Sequence, residues 1–188
     1  MKIPQWSYCQ ALAYFFNDKK GILATGTHGK TTTAALLGKI LIEAGYDPTV
    51  LAGGVVKDWK SNLRIGKSDW FIIEGDEYQE KFLSLAPLHL LITNIDYDHA
   101  DFFPNRGDYE SAFGKLIRQV KKGGSITIHK KAHKKFKRFF KNLSDIAVII
   151  PSLREEKILK AVKSYVLPGK YYYKNAFLAI SLARHLGI

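Results

Sequence analysis

A glycine-rich turn between a short apolar strand and a helix constrains the fold of this chain more than any other feature. Residues 24–33 read Ala-Thr-Gly-Thr-His-Gly-Lys-Thr-Thr-Thr. Backbone N–H groups of such a turn, with the N-terminus of a helix behind them, converge on phosphate oxygens. The pattern predicts that the Lys30 ammonium reaches the β- and γ-phosphates of a nucleotide and that the Thr31 hydroxyl binds Mg²⁺.

The residues predicted to bind the nucleotide at this turn are Gly26, Thr27, His28, Gly29, Lys30, Thr31 and Thr32. Ala24 stands in place of the usual first glycine, so the standard motif is not met in full. The alternative is a chance Gly-Lys-Thr in an ordinary strand–helix turn. The correct order of strand, loop and helix favours phosphate binding.

Apolar runs alternate with helical patterns along nearly the whole chain. The predicted strands are residues 21–25, 70–73, 89–93, 125–128 and 146–150. The predicted helices lie around residues 12–16, 31–44, 109–120, 132–142, 153–165 and 175–186. Such alternation predicts an α/β fold of the P-loop type, in which helices cover both faces of a mostly parallel β-sheet. No internal repeat or low-complexity linker interrupts it, so we predict one domain over residues 1–188.

The composition limits the class of protein. Apolar residues make up 46% of the chain, which argues against disorder. The formal net charge of +12 indicates an anionic partner without choosing between nucleotide, nucleic acid and membrane surface. Cys9 is the single cysteine, so no internal disulfide can form. The sequence has no secretory pattern and no apolar run of the roughly 18 residues that a membrane span needs, so we expect a cytoplasmic protein.

An acidic cluster follows the predicted strand at residues 70–73. Residues 72–77 read Ile-Ile-Glu-Gly-Asp-Glu. Open parallel sheets bind ligands at the carboxyl ends of their strands, and a carboxylate there can hold the Mg²⁺ that bridges the phosphates. Glu74, which is nearest the strand, is the predicted ligand. A solvated acidic turn is the alternative, which the phosphate loop disfavours.

A histidine among aspartates follows the next predicted strand. Residues 93–101 read Thr-Asn-Ile-Asp-Tyr-Asp-His-Ala-Asp. A neutral imidazole can bind a metal ion, and an adjacent carboxylate can orient it, so His99 is a candidate metal ligand. Taken alone, the segment fits an ordinary loop histidine beside a helix-capping aspartate equally well. The three sites end three strands, however, and are predicted to share one edge of the sheet.

Together these motifs resemble the central domain of the Mur ligases. The resemblance rests on residues 24–33, on Glu-Gly-Asp-Glu-Tyr at 74–78 and on residues 93–101, and it spans essentially the whole chain. The most similar branches add L-alanine, or recycled murein tripeptide, to UDP-N-acetylmuramate. Several members have a carbamylated lysine where this chain has Leu116, and the alanine-adding branch also lacks that lysine.

The resemblance implies an ATP- and Mg²⁺-dependent ligase. Its candidate catalytic residues are Lys30, Glu74 and His99, and its candidate metal ligands are Thr31, Glu74 and His99. In the family, ATP phosphorylates the muramate carboxylate, and the amine of an amino acid then displaces phosphate to form an amide. Two metal ions and a lysine would offset the repulsion between the carboxylate and the γ-phosphate.

Asn175 is the residue that the resemblance assigns to the nucleotide base. The family usually has arginine, histidine and asparagine where this chain has Lys170, Tyr171 and Tyr172. The family's N-terminal domain binds the UDP-sugar, and its C-terminal domain closes over ATP and brings the amino acid. These two domains have no counterpart in the 188 residues. The chain is therefore expected to be either a central-domain fragment or a reduced relative that keeps nucleotide binding.

A basic stretch supplies the competing hypothesis. Residues 115–141 contain many lysines and arginines and no acidic residue, and phenylalanines interleave with the lysines at 134–141. One interpretation is a nucleic-acid surface on a stand-alone P-loop ATPase or nucleotide-binding module. The other is an amphipathic helix with phenylalanines on the sheet and lysines in water. No nucleic-acid module accompanies the stretch, which favours the amphipathic helix.

Overall fold

A seven-stranded sheet forms the centre of the computed structural model, which describes residue 3, residues 5–152 and residues 170–188. The strands are β1 (Lys20–Thr25), β2 (Thr49–Val56), β3 (Ser61–Arg64), β4 (Trp70–Glu74), β5 (His89–Ile92), β6 (Ser125–Ile128) and β7 (Ala147–Ile149). Their order is β3-β2-β4-β1-β5-β6-β7. β3 pairs antiparallel with β2, and the other neighbours pair in parallel. The predicted, mostly parallel sheet is confirmed.

Helices cover both faces of this sheet, as the sequence predicts. The helices of the described residues are α1 (Tyr8–Phe16), α2 (Lys30–Glu43), α3 (Arg106–Arg118), α4 (Lys130–Lys135) and α5 (Lys170–His185), with 3-10 turns at Tyr78–Ser84 and Lys137–Phe140. α2 and α5 pack together on one face, and α1 and α3 cover the other. No helix in the described ranges is long and apolar enough to cross a membrane.

β1 lies at the centre of the sheet and is buried from Gly21 to Thr25. Leu23 belongs to the apolar layer under α1 and α3, whereas Ile22 and Ala24 belong to the layer under α2 and α5. Successive side chains of a strand point to opposite faces, and a strand covered on both faces reads as an uninterrupted apolar run. Burying each large apolar side chain contributes about 1.5–3 kcal/mol, so this strand is firmly fixed.

The sequence patterns do not predict β2 and β3. These strands lie at one edge of the sheet, and only Val50 and Ala52 among their residues are buried. Gly53 and Gly54 also interrupt β2. No continuous apolar run therefore marks them.

The single helix predicted at residues 132–142 is wrong. α4 ends at Lys135, Phe136 takes a non-helical conformation, and a 3-10 turn follows. The break lets the Phe136 ring become fully buried and brings Arg138 within 2.6 Å of Glu110 on α3. α5 begins at Lys170, before the predicted start at residue 175. The helix predicted at 153–165 lies outside the described residues.

Glu110 links α3 to the broken basic segment. Its Oε1 accepts a hydrogen bond from Arg106 Nε at 2.8 Å, and its Oε2 accepts one from Arg138 at 2.6 Å. Burial acts to raise the pKa of the Glu110 carboxyl, but the two guanidinium groups outweigh burial and hold that pKa below its ordinary value of 4.5. The carboxylate is therefore stabilised in the folded protein in its charged form.

We expect Glu110→Gln to lower the free energy of unfolding by about 1–3 kcal/mol at neutral pH, because two guanidinium groups lose their ionic acceptor. A depressed folded-state pKa contributes stability that is present above pH 4.5 and is lost as the pH falls through the folded-state value. Urea unfolding at several pH values should therefore show that the difference in free energy of unfolding between the wild type and Glu110→Gln becomes smaller in acid. Glu43→Gln, at an exposed pair with Lys39, is the matched control and should change stability by about 0.5 kcal/mol or less. A pH-independent difference would contradict this account.

Candidate functional site

The phosphate loop connects β1 to α2 and passes close to the residues that follow β5. Gly26 has a φ of +129°, and a Cβ added there would lie 2.2 Å from Thr93 Oγ1. β1 and β5 are neighbouring parallel strands, so their carboxyl ends meet at this edge. A side chain at Gly26 would be both strained and sterically blocked, which explains the glycine.

Asn94 holds the loop in place. Its Oδ1 accepts a hydrogen bond from His28 N at 3.0 Å, and its Nδ2 donates one to His28 O at 3.1 Å. Thr93 Oγ1 donates a further hydrogen bond to His28 O at 2.7 Å. The His28 side chain is exposed. The loop backbone is therefore ordered by the neighbouring segment.

Thr27 anchors the loop on its inner side. Its hydroxyl accepts a hydrogen bond from Asp96 N at 2.9 Å and lies 2.7 Å from the Tyr109 hydroxyl. Tyr109 has no exposed surface, and burial raises the pKa of its hydroxyl. The tyrosine therefore stays neutral and can share its proton with Thr27.

The N-terminus of α2 differs from those of α1 and α3. Ser7 caps α1 and Asn105 caps α3 through their side chains. α2 follows Gly29, which has a φ of +84° and offers no side-chain cap within the described structure. The N–H groups of the first helical turn, which contains Lys30, Thr31 and Thr32, have no intrahelical acceptor. An uncapped N-terminus behind a glycine loop favours an anion.

Lys30 forms an ion pair with a carboxylate that the sequence analysis does not select. Glu77 has no exposed surface, and its Oε1 and Oε2 lie 3.1 Å and 3.0 Å from Lys30 Nζ. His99 Nε2 lies 3.4 Å from Glu77 Oε1. Glu77 therefore joins the loop lysine to the histidine of the β5 segment. It belongs to the acidic motif, but nothing in the sequence distinguishes it there from Glu74.

Glu74 and Thr31 lie beside the glycine pair of β2. Glu74 Oε2 accepts a hydrogen bond from Gly53 N at 2.6 Å. A Cβ added to Gly54 would be 3.7 Å from the Thr31 methyl group. The absence of side chains at both glycines leaves room for the Glu74 carboxylate and for the first turn of α2.

His99 lies among the residues that follow β4. Its ring centroid is 4.9 Å from that of Tyr78, and it has a φ of +58°. The Tyr78 hydroxyl donates a hydrogen bond to Asp101 at 2.8 Å, which raises the pKa of Tyr78. The structure thus places His99 with Glu77 and Tyr78, whereas Glu74 contacts Gly53.

Two of the predicted metal ligands, Thr31 and Glu74, supply oxygens that suit a magnesium ion arriving with phosphates. No group of three or more His, Cys, Asp or Glu side chains suited to a metal occurs among the described residues. Mg²⁺ keeps several waters and usually takes one or two carboxylates together with substrate phosphates. The Thr31 hydroxyl and the Glu74 carboxylate are oxygen ligands of that kind. A closed protein site for a softer metal is not indicated.

Asn175 of α5 packs directly on the phosphate loop. It is 8% exposed, and a Cβ added to Gly29 would meet its Nδ2 at 2.3 Å. Asn175 also lines an open cavity of about 990 Å³, whose other walls include Asn94, Lys130, Phe136, Lys174 and Phe177. The cavity extends from the loop towards α4 and combines apolar rings with basic side chains. Tyr172 is 38% exposed, and the side chain of Tyr171 lies outside the description.

The basic segment packs through its aromatic side chains. Phe136 is buried, and Phe139 and Phe140 pack against the core layer under α1 and α3. The lysines at 134, 135, 137 and 141 are exposed. This arrangement agrees with apolar packing and solvated lysines, although the segment is not one continuous helix. It gives no support to the nucleic-acid hypothesis.

A strand, a glycine loop and an uncapped helix at the carboxyl edge of a parallel sheet define an α/β protein of the P-loop type. The family model of the Mur ligase middle domain matches residues 24–164. The chain therefore belongs to the Mur ligase family.

Similar proteins bear the names of Mur ligases. The UDP-N-acetylmuramate–L-alanine ligase of Desulfitobacterium hafniense is 40% identical over 128 residues, which cover 68% of this chain and 28% of the relative. That of Aquifex aeolicus is 32% identical over 197 residues, covering 99% of this chain and 41% of the relative. The chain thus spans less than half of these relatives.

Among solved structures, the chain is similar to UDP-N-acetylmuramate:L-alanyl-gamma-D-glutamyl-meso-diaminopimelate ligase from Neisseria meningitides. The TM-score is 0.82 and the sequence identity 25%. The match covers 99% of this chain and 68% of the solved chain.

We expect Gly29→Ala to destabilise the protein more than Gly45→Ala does. Both glycines have nearly the same φ, +84° and +82°, so both variants incur a similar backbone cost of about 1–2 kcal/mol. The added Cβ meets Asn175 at position 29, whereas nothing lies within 4 Å at position 45. Urea unfolding should show an excess loss of about 1 kcal/mol or more for Gly29→Ala, and Asn175→Ala in the same chain should reduce that excess. Equal losses would show that Asn175 does not pack on the loop.

Proposed function

We propose that residues 1–188 form the ATP-binding central domain of a peptidoglycan-synthesis ligase that joins L-alanine to UDP-N-acetylmuramate. The observation that carries this proposal is the ordered phosphate loop, with Lys30 and an uncapped α2 N-terminus at the sheet edge where Glu74 also lies. The family membership and the names of the most similar relatives support the substrate class. The nucleotide is ATP by the same resemblance.

In this proposal the triphosphate binds at the loop residues 26–32. The first turn of α2 and the Lys30 ammonium bind the β- and γ-phosphates. The nucleoside enters the cavity beside Asn175, where the amide can hydrogen-bond a base edge and Phe177 offers apolar surface. Asn175 packs on Gly29, so the part of the site that binds the base is held at a fixed position relative to the loop that binds the phosphates.

Magnesium would be held by Thr31 and Glu74, and His99 would serve a second ion. Bound magnesium would supply charge stabilisation for the transferring phosphoryl group. Glu74 and Thr31 lie beside Gly53 and Gly54, whose lack of side chains supports space for an ion with its waters. Glu77 keeps His99 next to the loop lysine.

Lys30 would offset the charge that a carboxylate nucleophile brings to the γ-phosphate. The carboxylate oxygen attacks the γ-phosphorus, ADP leaves, and an acyl phosphate forms. The amine of the amino acid then attacks the acyl carbon, and phosphate leaves as the amide forms. The chain spans less than half of its relatives, so we assign the sugar-nucleotide and amino-acid contacts to domains outside these residues. Its small cysteine content agrees with a cytoplasmic location, which we also propose.

We expect the chain to bind MgATP and Lys30→Ala to weaken binding by at least about ten-fold, because the loss of a charged hydrogen bond costs about 1.5–3 kcal/mol. Isothermal titration calorimetry measures both affinities. Lys39→Ala is the matched control, because Lys39 lies on the same helix but pairs with Asp58 and Glu43 at the surface. Unchanged affinity in Lys30→Ala would remove the phosphate-loop assignment.

We expect residues 1–188 alone to form no amide from UDP-N-acetylmuramate, L-alanine and MgATP, because we assign the contacts with the sugar nucleotide and the amino acid to domains outside these residues. Mass spectrometry of the reaction mixture detects the product directly. The full-length Aquifex aeolicus relative under the same conditions is the positive control. Amide formation by the isolated chain would show that these residues suffice for ligation.

A further inference from the structure

Glu77 is a buried charge next to the phosphate loop to which the proposed function assigns no contact with the ligand. Its carboxylate contacts Lys30 through both oxygens and has no exposed surface. We propose that Glu77 is a specificity-determining residue, which pairs with Lys30 beside the phosphate loop and selects magnesium-bound nucleotide over bare polyphosphate anions. This proposal rests on the proposed function, because it requires that Lys30 binds phosphate.

Lys30 donates hydrogen bonds to Glu77 and to the loop backbone. A lysine ammonium has three N–H donors. Glu77 Oε1, Glu77 Oε2 and Thr27 O lie 3.1 Å, 3.0 Å and 3.4 Å from Lys30 Nζ. Lys30 Nζ donates hydrogen bonds to Glu77 Oε1 and Thr27 O, whereas Glu77 Oε2 faces it as an ion pair without a hydrogen bond. A phosphate oxygen would therefore share the ammonium charge with Glu77. The carboxylate of Glu77 is thus a competitor of the ligand for the same ammonium group.

The charge of Glu77 also acts directly on an incoming anion. A buried carboxylate is screened by water and salt much less than a surface one. At an effective dielectric of about 20 and a spacing of about 6 Å, its repulsion of one negative charge corresponds to roughly a hundred-fold in affinity. Mg²⁺ offsets part of the phosphate charge, so the penalty is smaller for MgATP. Glu77 therefore increases the difference in affinity between MgATP and metal-free ATP.

The position of Glu77 agrees with a role in the site as well as with packing. It lies between Lys30 of the loop and His99 of the segment after β5. The chain turns sharply just after it, where Gln79 and Glu80 have φ values of +55° and +56°. Non-glycine residues in this left-handed region are uncommon and cluster at functional sites. If Glu77 only anchored the structure, its substitution would change the affinities for metal-free ATP and for MgATP equally. A specificity-determining role predicts unequal changes, so a measurement can separate the two roles.

The test compares dissociation constants for ATP in EDTA and for MgATP, measured by isothermal titration calorimetry. We expect Glu77→Gln to tighten metal-free ATP binding by about ten-fold or more and MgATP binding by less. The ratio of the dissociation constant for ATP in EDTA to that for MgATP should therefore be smaller for Glu77→Gln than for the wild-type chain. Glu80→Gln is the matched control on the same segment, because Glu80 pairs instead with Lys115 at 2.7 Å, and it should leave the ratio unchanged.

Equal weakening of both ligand forms in Glu77→Gln would overturn the proposal and leave Glu77 as a structural anchor. Failure of the wild-type chain to bind ATP in either condition would instead overturn the proposed function. If Glu77→Gln does not fold, Lys30→Met and the double variant Lys30→Met/Glu77→Gln provide the comparison, because the double variant leaves no unpaired charge. We expect the double variant to bind metal-free ATP about ten-fold more tightly than Lys30→Met does. Equal affinities would contradict repulsion by Glu77.

Discussion

The parallel pairing of β1 with β4 and β5 is the constraint on which the site depends. It places the ends of three strands side by side, so that the phosphate loop, the acidic segment and the aspartate–histidine segment meet. The pairing is strongly specified, because a shift of one residue would move Leu23 and Ile22 into the wrong apolar layers. The geometry of the loop is therefore a consequence of core packing well away from any ligand.

The sequence predicts five of the seven strands of the described sheet, among them the edge strand β7, and misses β2 and β3. β1, β5 and β6 are almost wholly buried, and short segments rich in aliphatic residues mark these strands and β4. β2 and β3 leave no such pattern, because only Val50 and Ala52 of their residues are buried and two glycines interrupt β2. The break at Phe136 is not visible in the sequence either, since the contact between Arg138 and Glu110 joins residues far apart along the chain.

The same limit applies to the site. Glycine spacing predicts the loop, and the order of elements predicts that Glu74 and His99 share its edge of the sheet. The ion pair between Lys30 and Glu77 could not be read from the sequence, because choosing among the carboxylates of one motif requires side-chain directions. The family resemblance assigns Asn175 to the nucleotide base. Its close packing on Gly29, however, is visible only in the structure. The assignment of metal ligands remains a proposal that these contacts support.

The amide of Asn94 closes a small ring of hydrogen bonds with His28. A loop held in this way loses its conformational entropy when the protein folds rather than when the nucleotide binds. Association then requires little reorganisation of the backbone, and most of the entropic change on binding belongs to the nucleotide and its released water. The backbone of the glycine loop is thus held by the protein's own hydrogen bonds in the shape of a receptor.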